Sequence, residues 1–365
     1  MSLPQTSSTD DAPLDSGTLG DPELEVEGDA AVASAGGSRL DGAALVRATK
    51  PFAEEDRVRT WTELLIALAF FGVVEAGALL APWWPLQLVA SLLVALITVR
   101  LFIIYHDALH GAVFRKDPLG HAIMWGVGFW SLSPPPVWRE THDYHHKNTC
   151  KLPGTSIGSY PVVTTRMWRR MKPGERRIYA FARHPLNILF GYVTIFMGGM
   201  ILSAFLRRPR MHWPNLLALG VHFGLIGLVT WQLGWFAALC AIVLPIAISS
   251  ALGGYLFYAQ HNYPDAKFTD RQRWTYTQAA LEASSMFEMP AVLHWFTGNI
   301  GYHHVHHLNH RIPFYRLPEA MAAMPELQHP GRTSWHPRDI AACLRLKLWD
   351  PSQGKMVSFA EAQLG

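Results

Sequence analysis

Apolar and polar positions in this chain fall into long blocks rather than short alternations. From Trp61 to Tyr105 almost every residue is apolar, broken by Ala81-Pro-Trp-Trp-Pro85, and Asn215 to Tyr258 repeats the plan around Trp231-Gln-Leu-Gly-Trp235. Each half of these blocks has about 20 residues, enough for a helix to cross a hydrocarbon core roughly 30 Å thick. In lipid the backbone must satisfy its own hydrogen bonds, which makes helix the form available to such blocks. The prolines and the paired Trp83 and Trp84 suit a tight turn at the lipid–water interface. The pattern predicts an all-α membrane protein with two transmembrane helical hairpins, four spans in all. A soluble protein with one buried helix would not need four such runs.

Two further apolar runs are weaker. Leu119 to Leu132 has the length of a re-entrant or interfacial segment. Leu186 to Leu206 is interrupted by Gly191, Gly198, Gly199 and Ser203 and is followed at once by Arg207, Arg208 and Arg210. If the polar stretches on either side of the second hairpin are to meet, the number of crossings between them is even, and 186–206 is then the run that does not span. Residues 1–50 are rich in Ser, Gly, Ala and Asp and show no periodicity. They read as a disordered tail left in the cytosol, without the basic start, apolar run and cleavage site of a secretory signal. A membrane domain is expected over 51–350 and a short C-terminal tail over 351–365.

Charge sets the orientation. The net charge of +3 decides little, but residues 107–185 hold 12 Lys or Arg and the two outer turns hold none. By the positive-inside rule both termini and the polar stretches face the cytosol. The run Arg166-Met-Trp-Arg-Arg-Met-Lys-Pro-Gly-Glu-Arg-Arg177 can meet anionic head groups or an acidic partner, although ordinary cytosolic-side charge explains it equally well. Nothing supports nucleic-acid binding. Inside the spans, Arg100 is expected to snorkel to the interface, Glu75 lies too deep to pair with it, and His222 reads as a hydrogen-bonded structural residue. His121, His184, His212, His329 and His336 read as structural or surface residues.

The chemistry is carried by histidine. His106 and His110 stand one helical turn apart, while His142, His145, His146 and His303, His306, His307 each make an H-x-x-H-H that gathers three imidazoles on one helix face. With 18 His in 365 residues, three five-residue windows would hold fewer than one by chance, yet these hold nine. Neutral imidazole is the commonest transition-metal ligand near pH 7. Eight ligating nitrogens are too many for one ion and suit two. Only Cys150, Cys240 and Cys343 are present, widely spaced and without C-x-x-C, which excludes iron–sulfur and Cys-rich zinc sites. Two irons with open positions for dioxygen are the natural proposal, giving a cytosolic helical cap with a His-rich di-iron site.

The order H-D-x-x-H-G, H-D-x-H-H, H-x-x-H-H between apolar segments resembles the membrane-bound fatty acid desaturases. The wording around the boxes, Ser133-Pro-Pro-Pro-Val-Trp-Arg-Glu-Thr-His-Asp-Tyr-His-His146 and Gly298-Asn-Ile-Gly-Tyr-His-His, is most similar to the acyl-lipid, delta-12 or omega-6 type. The resemblance covers roughly residues 55–320. Box one reads HDALH where relatives often carry Cys-Gly, and box three has an extra His304. The resemblance implies a di-iron centre (Fe2+/Fe3+) that takes two hydrogens from a fatty acyl chain with dioxygen and two electrons. It also implies a ninth ligand, His261, at the isolated Q-H position where the fourth span leaves the membrane. Asp107, Asp143 and Glu140 are expected to orient ligand rings, and Asn299 to hold a metal-bound water.

An unactivated methylene cannot be attacked by a side-chain acid or base, so no catalytic residue is expected beyond the metal centre. The substrate is expected to be a membrane-associated fatty acyl lipid. The chain shows neither the ferredoxin cysteine pattern nor the His-Pro-Gly-Gly of a cytochrome b5-like region, so electrons are expected from a separate ferredoxin or cytochrome b5. The alternatives are a fatty acyl or carotenoid hydroxylase or ketolase of the same histidine-box class, and a metal carrier with histidine transport ligands. A carrier would need polar residues at depth, and these spans are mostly bare.

Overall fold

A computed structural model describes residues 42–153 and 157–364. Helix α1 (Gly42–Ala48) is followed by two long helices, α2 (Arg57–Leu80) and α3 (Trp84–Leu109). Asp56 caps α2 by accepting from the Arg59 N–H at 3.0 Å, and prolines sit in the first turns of α3 and the next two helices, where their missing N–H costs nothing. Those two are α4 (Pro118–Trp130) and α5 (Pro135–Lys147). The apolar helix α6 (Tyr192–Arg207) leads into the second long pair, α7 (Trp213–Leu233) and α8 (Trp235–His261). The short helix α9 (His303–Leu308) follows.

Four helices, α2, α3, α7 and α8, are long and apolar enough to cross a membrane, and they form the two expected hairpins. The run 186–206 is divided between a short helix, Pro185–Leu189, and α6, which is itself shorter than the ~20 residues a span needs. α3 is the centre of the bundle: 61% of its apolar window is buried, against 11% for α7. It packs on α2, α4 and α8, and its Val94, Ile97, Leu101 and Ile104 anchor the largest apolar cluster. The outer faces are apolar without protein cover, with Val73, Leu80 and Trp84 on one hairpin and Phe223, Leu228 and Trp231 on the other. An exposed apolar belt of this extent fits lipid rather than water.

The polar end adds detail that the helical reading lacked. Three two-stranded ladders knit the cap: Lys151–Leu152 runs parallel to Thr269–Asp270, Met286–Glu288 runs parallel to Arg332–Ser334, and Leu348–Asp350 runs antiparallel to Lys355–Val357. The last hairpin crosses the expected boundary at 350 and buries Met356 and Val357, so the chain is still folded in the segment read as a C-terminal tail. At the other end α1 lies within the expected tail, yet Leu45 and Val46 are buried against Val305, Leu308 and Ile312. The tail's residues 1–41 lie outside the described ones.

Arg100 does not snorkel. It is 2% exposed, donates to the Glu63 carboxylate of α2 at 2.5 Å and to the Trp295 carbonyl, and stacks its guanidinium 4.2 Å from the Trp295 ring centre. A carboxylate on the neighbouring span and a carbonyl at the right height satisfy the charge where it stands, so it has no need to reach for the interface. Glu75 takes no part in this pair. His222 accepts or donates a 2.6 Å hydrogen bond with the Tyr192 hydroxyl, the structural role expected of it.

Replacing Arg100 by Leu leaves Glu63 without its partner inside the bundle. With Glu63 still partly open to solvent, the expected loss is near the lower end of the 3–5 kcal/mol range for breaking a buried pair, about 3 kcal/mol. Thermal inactivation in detergent measures it, and an unchanged midpoint would show that the pair is not structural. Both hairpin turns lie at the helix ends opposite the histidines. Single cysteines at Trp84 and Trp231 are therefore expected to react with an impermeant maleimide from outside the cell, and one at Ser159 only from inside. Labelling of all three from one side would reject the two-hairpin arrangement.

Candidate metal centre

The site is built from helix ends. α3 brings His106 and stops with His110 at its C-cap because Gly111 adopts φ +66°. The Gly111 N–H then reaches the Ala108 carbonyl at 3.2 Å and the Ala112 N–H the Asp107 carbonyl at 2.9 Å, the paired closure that a left-handed residue permits. α5 presents His142, His145 and His146 from one face, and α8 ends on His261. Box three is aimed by two left-handed residues, Gly298 (φ +50°) and Asn299 (φ +55°). A Cβ on Gly298 would stand 2.7 Å from Ile103 of α3, so only glycine lets the chain pass this close to the central helix before α9 begins.

The nine histidines come together in two buried groups. His106, His110, His142, His146 and His306 form one, His145, His261, His303 and His307 the other; within each group the ligating atoms all lie within 4.8 Å of one another. The rings meet Nε2 to Nε2. In the first group His106 is 2.8 Å from His142 and 3.1 Å from His110, and His146 is 3.1 Å from His142 and 3.2 Å from His306. In the second His261 is 3.1 Å from His145 and 2.9 Å from His303, which is 3.1 Å from His307.

A neutral imidazole has one N–H to give, so Nε2 atoms that each face two others cannot all be paired by protons. A cation resolves the conflict. Metal–nitrogen bonds of about 2.1 Å put neighbouring ligands at right angles roughly 3.0 Å apart, which is the spacing seen. Burial pulls the pKa of His110, His142, His145, His146, His303, His306 and His307 well below the usual imidazole value, which keeps them in the neutral, ligating form. Three rings are also held through Nδ1: His106 by Asp107 Oδ1 at 3.0 Å, His261 by the Ala283 carbonyl at 2.9 Å, and His307 by Thr149 Oγ1 at 3.3 Å. A proton on Nδ1 leaves Nε2 free for a metal. The donor set, all nitrogen and in a five and a four, fits two transition-metal ions.

The expected supporting residues fare differently. Asp107 contacts a cluster ring: while Oδ1 meets His106, Oδ2 accepts from the Phe314 N–H at 2.7 Å. Glu140 does not reach the imidazoles of the site. It faces the α6–α7 connection, bound to Arg208 at 2.5 Å and His212 at 3.0 Å, and the His212 hydrogen bond with the Arg208 charge holds its carboxyl below the usual range. Asp143 makes no hydrogen bond to a cluster imidazole among the described residues, and burial raises its pKa to about 6. Asn299 spends its side-chain amide on the Phe314 carbonyl at 3.1 Å, which braces the approach to α9. The extra His304 turns away and pairs with the Leu327 carbonyl at 3.1 Å. Sequence reasoning passed over His310, whose ring lies 4.7 Å from that of His110 and 5.2 Å from that of His146. Its spacing from His306 equals that of His110 from His106, and this was the available signal.

Four membrane-length helices and two nests of buried imidazoles that could each hold a metal ion define a histidine-rich protein of the membrane class. The chain belongs to the fatty acid desaturase family, whose model matches residues 82–338, and so to a family of oxidoreductases. It is 27% identical over 321 residues to a fatty acid desaturase of Bacillus subtilis, covering 86% of this chain and 90% of that one. It is 23% identical to the sn-1 oleoyl-lipid 12-desaturase of Anabaena variabilis, covering 77% and 82%. With the sn-1 acyl-lipid omega-3 desaturase (ferredoxin) of Nostoc it shares 27% over 61% of this chain, and the match spans just under two thirds, 63%, of that relative's length.

Asp107→Asn and Glu140→Gln separate the two kinds of carboxylate. The first weakens the hold on His106 and is expected to reduce metal affinity or activity about 10–100-fold, as loss of a partner to a ligating histidine does. The second is expected to leave bound metal unchanged. Metal titration of both purified variants checks this, and equal losses would show that Asp107 is not a ligand-orienting group.

Proposed function

We propose that the chain is an oxygen-dependent fatty acyl desaturase that introduces a double bond into a membrane-associated acyl chain. The observation that carries the reading is the convergence of nine buried imidazoles at the ends of apolar helices in a member of this family. His106, His110, His142, His146 and His306 would hold one iron, and His145, His261, His303 and His307 the other. Iron there supplies the oxidant for an unactivated C–H bond, which no side chain can provide. Overall, CH2–CH2 with O2, two electrons and two protons gives CH=CH and two waters.

The protein's own part is placement and exclusion. Asp107 keeps His106 in one orientation, Thr149 and the Ala283 carbonyl do the same for His307 and His261, and burial of all nine rings keeps bulk water from the reacting atoms. Beside His145 and His261 a small crevice of mixed character is lined by Tyr160, Val162, Phe257 and Phe268 together with the polar Ser159, Arg183 and Asn262. The lipid-facing helices let an acyl tail arrive from the bilayer. By the charge bias of residues 107–185 the histidines face the cytosol, where a separate one-electron protein of ferredoxin or cytochrome b5 type delivers the electrons. Similarity to relatives that are acyl-lipid desaturases, ferredoxin-linked ones among them, favours desaturation over hydroxylation.

Expression in a host that lacks polyunsaturated lipid, followed by gas chromatography of its acyl chains, is expected to show a new double bond and two irons per purified chain. His261→Ala is expected to abolish the product and lower the iron, while His222→Ala, whose ring bonds Tyr192 instead, keeps both. Hydroxylated product would replace the reading by its neighbour. Equal effects of the two substitutions would remove His261 from the ligand set.

A further inference from the structure

The two groups of imidazoles are buried, yet a hydrogen-bonded route leads from one of the rings to the surface. His307 meets Thr149 Oγ1 at 3.3 Å, and that hydroxyl donates to the His145 carbonyl at 2.7 Å, so the His307 Nδ1–H is the donor in their contact. The carbonyl of the same Thr149 accepts from the indole N–H of Trp274 at 2.9 Å. Thr149 is buried, whereas Trp274 is half-buried and opens outward. An aromatic ring at the surface is thus joined to a ring of the four-imidazole group through two hydrogen bonds and the short bonded path of one threonine.

The surface around this indole is cationic. Lys151 sets its ammonium 4.4 Å from the centre of the Trp274 ring. Arg271, one residue beyond the strand that pairs with Lys151–Leu152, stays exposed and reaches the Pro153 carbonyl at 3.4 Å. Arg273 is exposed beside Trp274 itself. The one acid of this loop, Asp270, is turned back on the Gln272 and Arg273 backbone N–H groups at 3.0 and 3.1 Å. Burial and the like charge of Arg271 lower the pKa of Lys151, as crowded cations without a facing carboxylate should show.

We propose that electrons enter here: an acidic one-electron carrier protein docks on Lys151, Arg271 and Arg273 over Trp274, and its electrons pass by Trp274 and Thr149 to His307 and the metal beside it. This rests on the function proposed above, in which the centre is redox-active. Each docking oxidises one carrier and reduces one metal ion by one electron. Two dockings supply the two electrons that, with O2, the two acyl hydrogens and two protons, leave as two waters. The patch lies across the cap sequence from the other basic stretch, 166–177, whose Arg170 and Arg177 are also exposed, so the two surfaces can be set against each other.

The iron-loaded protein is reduced anaerobically by plant-type ferredoxin with its reductase, freeze-quenched at intervals, and the reduced fraction read by Mössbauer spectroscopy; dithionite provides the carrier-independent reference. Lys151→Glu/Arg271→Glu is expected to raise the ferredoxin concentration for half-maximal rate at least about 10-fold and to weaken its salt dependence, because steering charges act on encounter. Trp274→Phe keeps an aromatic ring but removes the indole N–H, and is expected to slow reduction at saturating ferredoxin several-fold with unchanged half-saturation. Arg170→Glu/Arg177→Glu, an equal change of charge, is expected to leave both quantities as in the wild type. All variants are expected to keep their iron and their dithionite-driven reduction. Wild-type kinetics in the Lys151/Arg271 or Trp274 variants, or a loss confined to the Arg170/Arg177 variant, overturns the entry route. If ferredoxin fails to reduce the wild type while dithionite succeeds, the acidic carrier is overturned. A wild-type chain that binds no iron, or that after dithionite reduction gives no product with O2, overturns the function itself.

Discussion

Nine nitrogen lone pairs forced to face one another in a dry volume are the constraint around which this molecule is arranged. Left alone such a cluster is unfavourable, because neutral imidazoles cannot satisfy more than one neighbour each and burial resists charging them. The fold therefore has to hold the rings rigidly and leave the conflict for a metal to resolve. It does so with helix ends. The closing turn at Gly111 fixes His110, the last residue of α8 fixes His261, and the left-handed pair Gly298–Asn299 lays α9 against α3. The long spans supply the stiffness, and the small ladders of the cap hold the intervening loops in register.

That division of labour gives two charged groups of the central helix, Arg100 and Asp107, more than one partner each. Arg100 and Glu63 pair between the first two spans, but the guanidinium also holds the Trp295 carbonyl, just ahead of the turn into box three. Asp107 has the same double character, one oxygen on His106 and the other on the Phe314 backbone just after it. Together these residues connect the central helix to the segments on both sides of α9, Arg100 to Trp295 before it and Asp107 to Phe314 after it. The metal site and the membrane bundle share these ties, so neither can shift without the other.

Much of this was legible in the sequence wherever a single helical period sufficed. The spans were visible because their apolar blocks are long, and the eight box histidines because spacings of three and four place rings on one face. His261 carries no such spacing and was reachable only through family resemblance. Glu140 was misplaced because two residues before His142 is about 200° around a helix, the opposite face, where Arg208 and His212 wait for it. Arg100 was misread because depth along one helix says nothing of a carboxylate on the next. His310 was passed over because it lies outside the three boxes and beyond the end of α9, although it stands four residues after His306. The two- and three-residue strands are too short to leave a periodic trace, which is how the hairpin around 350 came to be read as a tail.

The contact between Arg100 and Trp295 also has a meaning in biosynthetic time. Its partners are 195 residues apart in the chain, and the closure entropy for so distant a pair must be met before the contact gives anything back. During synthesis the first hairpin is inserted, with Arg100 and Glu63 already able to pair, long before the segment carrying Trp295 and box three leaves the ribosome. Until then the first two boxes present five histidines at the membrane surface with half of their coordination missing. Both groups of imidazoles are thus completed late, when the chain's last fifth, with His303, His306 and His307, has arrived.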